Sequence, residues 1–180
     1  MKNKWIIDTL HSDVQFKVKH LLISTATGTF GTYSAEVETE GDSFETASVH
    51  FTADVNSITT GNDQRDGHLK SADFFDAANH PTIDFVSEKM EKTVDDTYKL
   101  HGKLTIRGTT KPVTLNVEFG GMQKDFYGNL KAGFEVSGVI KRKEFGLHWD
   151  GITEAGSVVV SDDVKIAANV QFAKVVPAVA

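Results

Sequence analysis

YKLHGKLTIRGTTKPVTLNVEF, residues 98–119, is the stretch whose reading decides the fold. Tyr98, Leu100, Gly102, Leu104 and Ile106 alternate with Lys99, His101, Lys103, Thr105 and Arg107. Successive side chains of a strand point to opposite faces, so this period of two gives one face to a core and the other to water. Turn residues from Gly108 to Pro112 interrupt the pattern, and Val113, Leu115, Val117 and Phe119 then resume it against Thr114, Asn116 and Glu118. A connection this short joins antiparallel neighbours, and Pro112 stands at a strand start, where its missing N–H is tolerated. The segment is a hairpin with one apolar face.

The same alternation recurs outward from it. Apolar rows begin at Val14 (Phe16, Val18, His20), Tyr33 (Ala35, Val37), Val49 (Phe51, Ala53, Val55) and Ile83 (Phe85). Others begin at Leu130 (Ala132, Phe134, Val136, Ile140) and Val164 (Ile166, Ala168, Val170, Phe172). With the opening hairpin these make eight strands, and Trp5–Asp8 is a candidate ninth. Eight one-sided strands share a single interior, and closing the sheet on itself leaves no exposed edge. The reading is therefore all-β: an eight-stranded antiparallel barrel forming one domain over residues 1–174, with 175–180 a frayed tail.

One stretch breaks the rhythm: TTGNDQRDGHLKSADFFDAANHPTIDF, residues 59–85. Ordered connections are rarely this long, and Leu69, Phe74, Phe75 and Ile83 are too apolar for a disordered linker. It reads as a short helical cap over one end of the barrel. Gly67 would weaken such a helix and points to a break or a close approach there. A solid barrel needs no lid, and the second long connection, 141–160, carries the same implication. Inward Ala35, Ala53, Gly102, Ala132, Gly138 and Ala168 leave volume unfilled, although large–small interdigitation would use the same residues.

Composition excludes several classes of function. Lys and Arg number 19 against 25 Asp and Glu, a formal charge of −6, which disfavours nucleic acid. Cysteine is absent, so thiol catalysis, disulfides and thiolate metal sites are absent with it. The seven His residues are scattered, without metal-ligand spacing, and G-x-S-x-G does not occur. Asp8, Asp66, Asp73 and Asp84 are the candidates for acid–base work, but carboxylates at turns and caps are usually structural. No cofactor is implied. The apolar run near the N-terminus is shorter than the about 7–15 residues of a secretory signal, so a cytoplasmic protein is expected.

At the level of motifs the chain resembles the YceI-like, polyisoprenoid-binding family of lipocalin-like barrels. The residues that carry the resemblance are Asp8 with His11-Ser12, Val14-x-Phe16-x-Val18-x-His20 and Gly28-Thr29-Phe30. The most specific block runs from Arg65-Asp66-x-His68-Leu69-Lys70 through Asp73-Phe74-Phe75-Asp76 to His80-Pro81-x-Ile83-x-Phe85. Leu104–Lys111 and Arg142-x-x-Phe145-Gly146 complete it. The resemblance implies a lipocalin-like β-barrel whose lumen sequesters or transports one long apolar ligand, such as a polyprenyl phosphate, an isoprenoid quinone or a fatty acid or amide. It also implies a homodimer. Many relatives are periplasmic, which differs from the expectation drawn from the N-terminus.

The expected lumen lining is Phe16, Val18, Phe51, Phe85, Leu104, Ile106, Val117, Phe119, Phe134, Val136 and Ile166. Candidate head-group and cap residues are His20, Arg65, His68, Phe74, Phe75 and Arg142. Each has a blander alternative. Arg65 and Asp66 could tie the cap down by a buried ion pair, His20 could be a core histidine, and Arg142 could be a solvated basic strand end. Phe74 and Phe75 could simply plug the barrel. At the level of function the alternatives are a ligand-free, stress-related scaffold and, further off, a metal or acid–base enzyme.

Overall fold

A computed structural model describes residues 1–21, 23–151 and 160–176. Eleven strand segments form one antiparallel sheet: β1 (Lys2–Ile7), β2 (Asp13–His20), β3 (Ser24–Phe30), β4 (Tyr33–Glu40), β5 (Ser43–Asp54), β6 (Ile58–Thr59), β7 (Thr82–Lys92), β8 (Thr97–Ile106), β9 (Thr109–Lys124), β10 (Leu130–Lys141) and β11 (Asp163–Lys174). Three staves of the wall are split in two. Both β1 and β2 pair with β11, β3 pairs with β2 and β6, and β4 pairs with β1 and β5. Counting β1–β2, β3–β4 and β5–β6 as one stave each leaves eight, and the β1–β11 pairing closes the ring. The fold is thus a closed eight-stranded antiparallel barrel with, among the described residues, one short α-helix, α1 (Asp63–Lys70). Trp5–Asp8 belongs to the first stave rather than to a ninth.

The first split is held by a charge cluster. Asp8 follows β1, and its carboxylate accepts from the Leu10 amide, His11 Nδ1 (2.8 Å) and Lys131 Nζ (2.5 Å). The bond from Lys131 is the largest influence on it; burial opposes and His11 assists, and the carboxyl is held down to about 2. A depressed carboxyl stabilises the fold above its unfolded pKa near 4 and loses that contribution as pH falls. The pair is accordingly expected to contribute ~2 kcal/mol at neutral pH, fading between about pH 4 and 2. Acid titration of unfolding in Asp8→Asn should show a shallower loss than wild type across that window.

One end of the barrel is floored by aromatic rings. Phe44 lies 5.0 Å from Trp5, 5.6 Å from Phe119 and 4.9 Å from Phe134, and Phe134 lies 6.1 Å from Phe172. These centroid distances are those of favourable edge and tilted pairs. Trp5 is fully buried, and its indole N–H is satisfied by Thr39 Oγ1 at 3.1 Å.

The opposite end carries α1. Asn62 caps it by accepting from the Arg65 amide at 3.0 Å, and the helix runs unbroken through Gly67. Open space surrounds Gly67, so the break or close approach expected there does not occur. Gly67→Ala is expected to add ~1 kcal/mol of stability, since glycine only weakens this helix. Thermal unfolding should register a rise of about 2–4 °C. Of the expected frayed tail, 177–180 lie outside the described residues, while the Val175 amide is still tied to Lys4 O at 2.8 Å.

Candidate functional site

Between floor and cap lies a cavity of about 650 Å³. Its wall explains why it is open. Val49, Phe51, Val113, Leu115, Val136 and Ile166 face inward in register yet are only partly buried, because they border empty space rather than each other. Glycines help keep it so. A Cβ on Gly28 would stand 2.1 Å from Phe16 Cζ, and one on Gly102 would stand 2.6 Å from Phe85 Cζ. Each ring therefore lies flat along the wall over a neighbouring glycine instead of projecting across the lumen.

Phe16, Val18, Phe51, Phe85, Leu104, Ile106, Val117, Phe134, Val136 and Ile166 all border the cavity. Phe119 does not. It pairs with Phe134 beside the irregularity at Gly133, 5.2 Å from that ring, and belongs to the floor. Phe44, Ala26 and Met90 also line the cavity and escaped the sequence reading. Met90 faces inward because the β7–β8 register slips between Ser87 and Lys89, which reverses the alternation beyond that point.

Apart from Arg142, the polar residues of the lining gather at one rim: Lys19 and His20 from β2, and Thr60, Asn62, Gln64, Arg65 and His68 around α1. His20 is exposed there and bridges to Val160, so it is not a core histidine. Arg65 donates from Nε to Thr60 Oγ1 (2.7 Å) and from Nη2 to Thr60 O (2.8 Å). Its Nη1 has no partner among the described residues. Arg65 and Asp66 do not form the buried ion pair considered as an alternative. Asp66 instead accepts from the Thr60 amide (2.8 Å) and hydroxyl (2.6 Å). Burial raises its pKa, but these bonds outweigh it and hold the carboxyl below its ordinary value. The tie between cap and wall therefore runs through Thr60.

His68 Nε2 meets Asp73 at 2.8 Å, and its ring stands edge-on to Trp149 (4.7 Å) and Phe74 (5.1 Å). Phe74 is buried, while Phe75 is half-buried, 6.5 Å from Phe30 and in contact with the lumen. Arg107, read from sequence as an outward strand residue, sits at a left-handed turn (φ 50°) and donates to Phe74 O at 2.8 Å. It pins the cap from the far side.

Arg142 departs most from expectation. It borders the cavity but is only 4% exposed, so it is not a solvated strand end. Nε donates to Ser161 O, Nη1 to the carbonyls of Leu147 and Trp149, and Nη2 to Asp150 Oδ1 and Val160 O, all within 3.0 Å. All five N–H bonds of its guanidinium are thereby spent inside the protein. Lys143 chiefly, and Arg142 after it, hold the Asp150 carboxyl below its usual range against desolvation. No group of His, Asp and Glu suited to a metal ion occurs among the described residues. This arrangement can bury a hydrocarbon along most of its length and offer hydrogen bonds at one end.

Comparison with known proteins agrees. The model of the YceI-like domain matches residues 5–172. A UPF0312 protein of Staphylococcus epidermidis is 37% identical over 172 residues, 94% of this chain and 96% of that protein. The Campylobacter jejuni YCEI protein superposes with a TM-score of 0.75 at 35% identity, covering 86% of this chain and 88% of the other. Burkholderia cenocepacia BcnA gives 0.79 at 26% identity, covering 92% and 98%. A Saccharophagus degradans structure described as a polyisoprenoid binding domain shares the fold, with a TM-score of 0.68 at 18% identity over 94% of this chain and 97% of that one.

Proposed function

Because the chain belongs to the YceI-like family, we propose that its barrel is a non-catalytic host for one long apolar ligand, which it sequesters or carries. The ligand class is a polyprenyl phosphate, an isoprenoid quinone or a fatty acid or amide. The observation that carries this reading is the apolar lumen of about 650 Å³, floored at one end and polar, Arg142 aside, only at one rim. That volume falls within the ~300–1,000 Å³ of small-molecule sites. Each CH₂ taken out of water contributes ~0.8 kcal/mol, less the cost of ordering a flexible tail. The description of the Saccharophagus degradans relative supports the isoprenoid class. In this reading the protein is also a homodimer, and light scattering on the purified protein tests that by a mass of two chains.

Native mass spectrometry after gentle purification tests the binding itself. A co-purifying lipid, or uptake of added polyprenyl phosphate, quinone or fatty amide, is the expected result. A mass that stays that of the bare chain against all three would leave the ligand-free scaffold as the better account. Arg65 is the proposed head-group contact, through its unpaired Nη1. Arg65→Ala is expected to weaken an anionic ligand about tenfold, the ~1.5 kcal/mol of a charge-assisted hydrogen bond, while the loss of its two exposed bonds to Thr60 lowers the thermal midpoint only slightly. A strongly lowered midpoint with unchanged affinity would make Arg65 a cap tie instead.

A further inference from the structure

The outer surface beside the lumen rim has a character unlike the rest of this acidic chain. Leu21 and Ile23 lie between the end of β2 at His20 and the start of β3 at Ser24. The Ile23 amide donates to His20 O at 3.2 Å, closing a tight turn, and Leu21 has φ 55°. Tight hairpins that need positive φ ordinarily use Gly, Asn or Asp, and a leucine in that conformation is strained. Despite the strain, the turn presents apolar side chains to water: Ile23 is 82% exposed and Leu21 36%.

Behind this tip the wall is basic. Lys17 and Lys165 are direct cross-strand partners, both exposed, and Lys19 lies two residues beyond Lys17. Like charges set opposite each other are destabilising. No ion pair among the described residues includes any of the three lysines. Lys19 and His20 also belong to the lumen rim, so basic patch, apolar tip and cavity opening are continuous.

We propose that this β2–β3 tip docks on an anionic lipid bilayer, with Leu21 and Ile23 entering its surface and Lys17, Lys19 and Lys165 facing its head groups. The proposal rests on the lipid-binding reading of the lumen and names the source of the ligand: the bilayer brought against the rim. A wedge of two side chains is far too small for a stable protein interface, which takes ~800 Å² from each partner. It does suit a bilayer, whose surface accepts scattered apolar side chains and draws lysines by its diffuse negative charge.

Flotation with phosphatidylcholine vesicles, with and without phosphatidylglycerol, tests this on the intact protein. Wild type is expected to float with the phosphatidylglycerol vesicles, weakly with phosphatidylcholine alone, and progressively less as salt screens the lysines. Lys17→Gln with Lys165→Gln should weaken binding about 25-fold, near fivefold for each basic residue removed. Leu21→Asn with Ile23→Ser should lose binding while unfolding no earlier than wild type, since Asn accepts positive φ. Wild type staying in solution with both vesicle types, or either double variant floating like wild type, overturns the proposal. Uptake of a water-soluble short-chain prenyl phosphate separates this from the lumen reading. Both variants should retain that uptake, whereas its absence in a wild type that still floats would sink the lumen reading and leave docking standing.

Discussion

Ala168→Trp is expected to abolish uptake of a long-chain lipid while the barrel still folds. Ala168 sits in β11 between Val136 of β10 and Val14 of β2, and all three border the cavity. Overpacking normally costs ~1–3 kcal/mol because a filled core has no room for added atoms. Here the indole would enter a void of about 650 Å³, so the thermal midpoint should move little while the path for a hydrocarbon is blocked. Native mass spectrometry reads the loss directly, and Ala168→Leu should lose affinity only in part. Full occupancy by the same lipid in Ala168→Trp would show that ligand does not lie in the lumen.

Arg142→Met should produce the largest loss of stability, ~3–5 kcal/mol, because it strands several hydrogen-bond acceptors around a buried guanidinium at ~1–3 kcal/mol for each that stays unpaired. The substitution leaves four carbonyls, those of Leu147, Trp149, Val160 and Ser161, without their donor and Asp150 with only Lys143. Arg142→Lys retains the charge but has three donors in place of five and no planar fork, so it should recover a minority of the loss. Chemical denaturation measures both. A loss below about 1 kcal/mol in Arg142→Met would mean the bonds exchange freely with water.

What the sequence made legible followed from contrast between neighbouring side chains. On both sides of the Gly108–Pro112 turn, Tyr98–Ile106 and Val113–Phe119 alternate apolar with polar, and β8 and β9 are paired there without interruption. By comparison β3, Ser24 to Phe30, turns Ala26 and Gly28 inward against threonines, a pattern too faint in hydrophobicity to read as a strand. Phe44 was hidden by its position next to an obvious turn, and Met90 by a register slip that no local pattern announces. Arg142 stands between Lys141 and Lys143, and only the distant carbonyls of Leu147, Trp149, Val160 and Ser161 gathered around it reveal its burial. Trp149, an isolated residue in the sequence, has its partners His68 and Phe74 more than seventy positions away. Signals that depend on such distant partners are set by tertiary structure and cannot be found in a local window.

The ring-stacked floor around Phe44 and Phe134 has a last consequence. A tunnel blind at one end works as a ruler: an amphiphile can only go in tail first, and its chain stops where the rings begin. Homologous lipids of growing length should bind more tightly up to a threshold, then gain nothing further, because every additional methylene would hang back outside the opening.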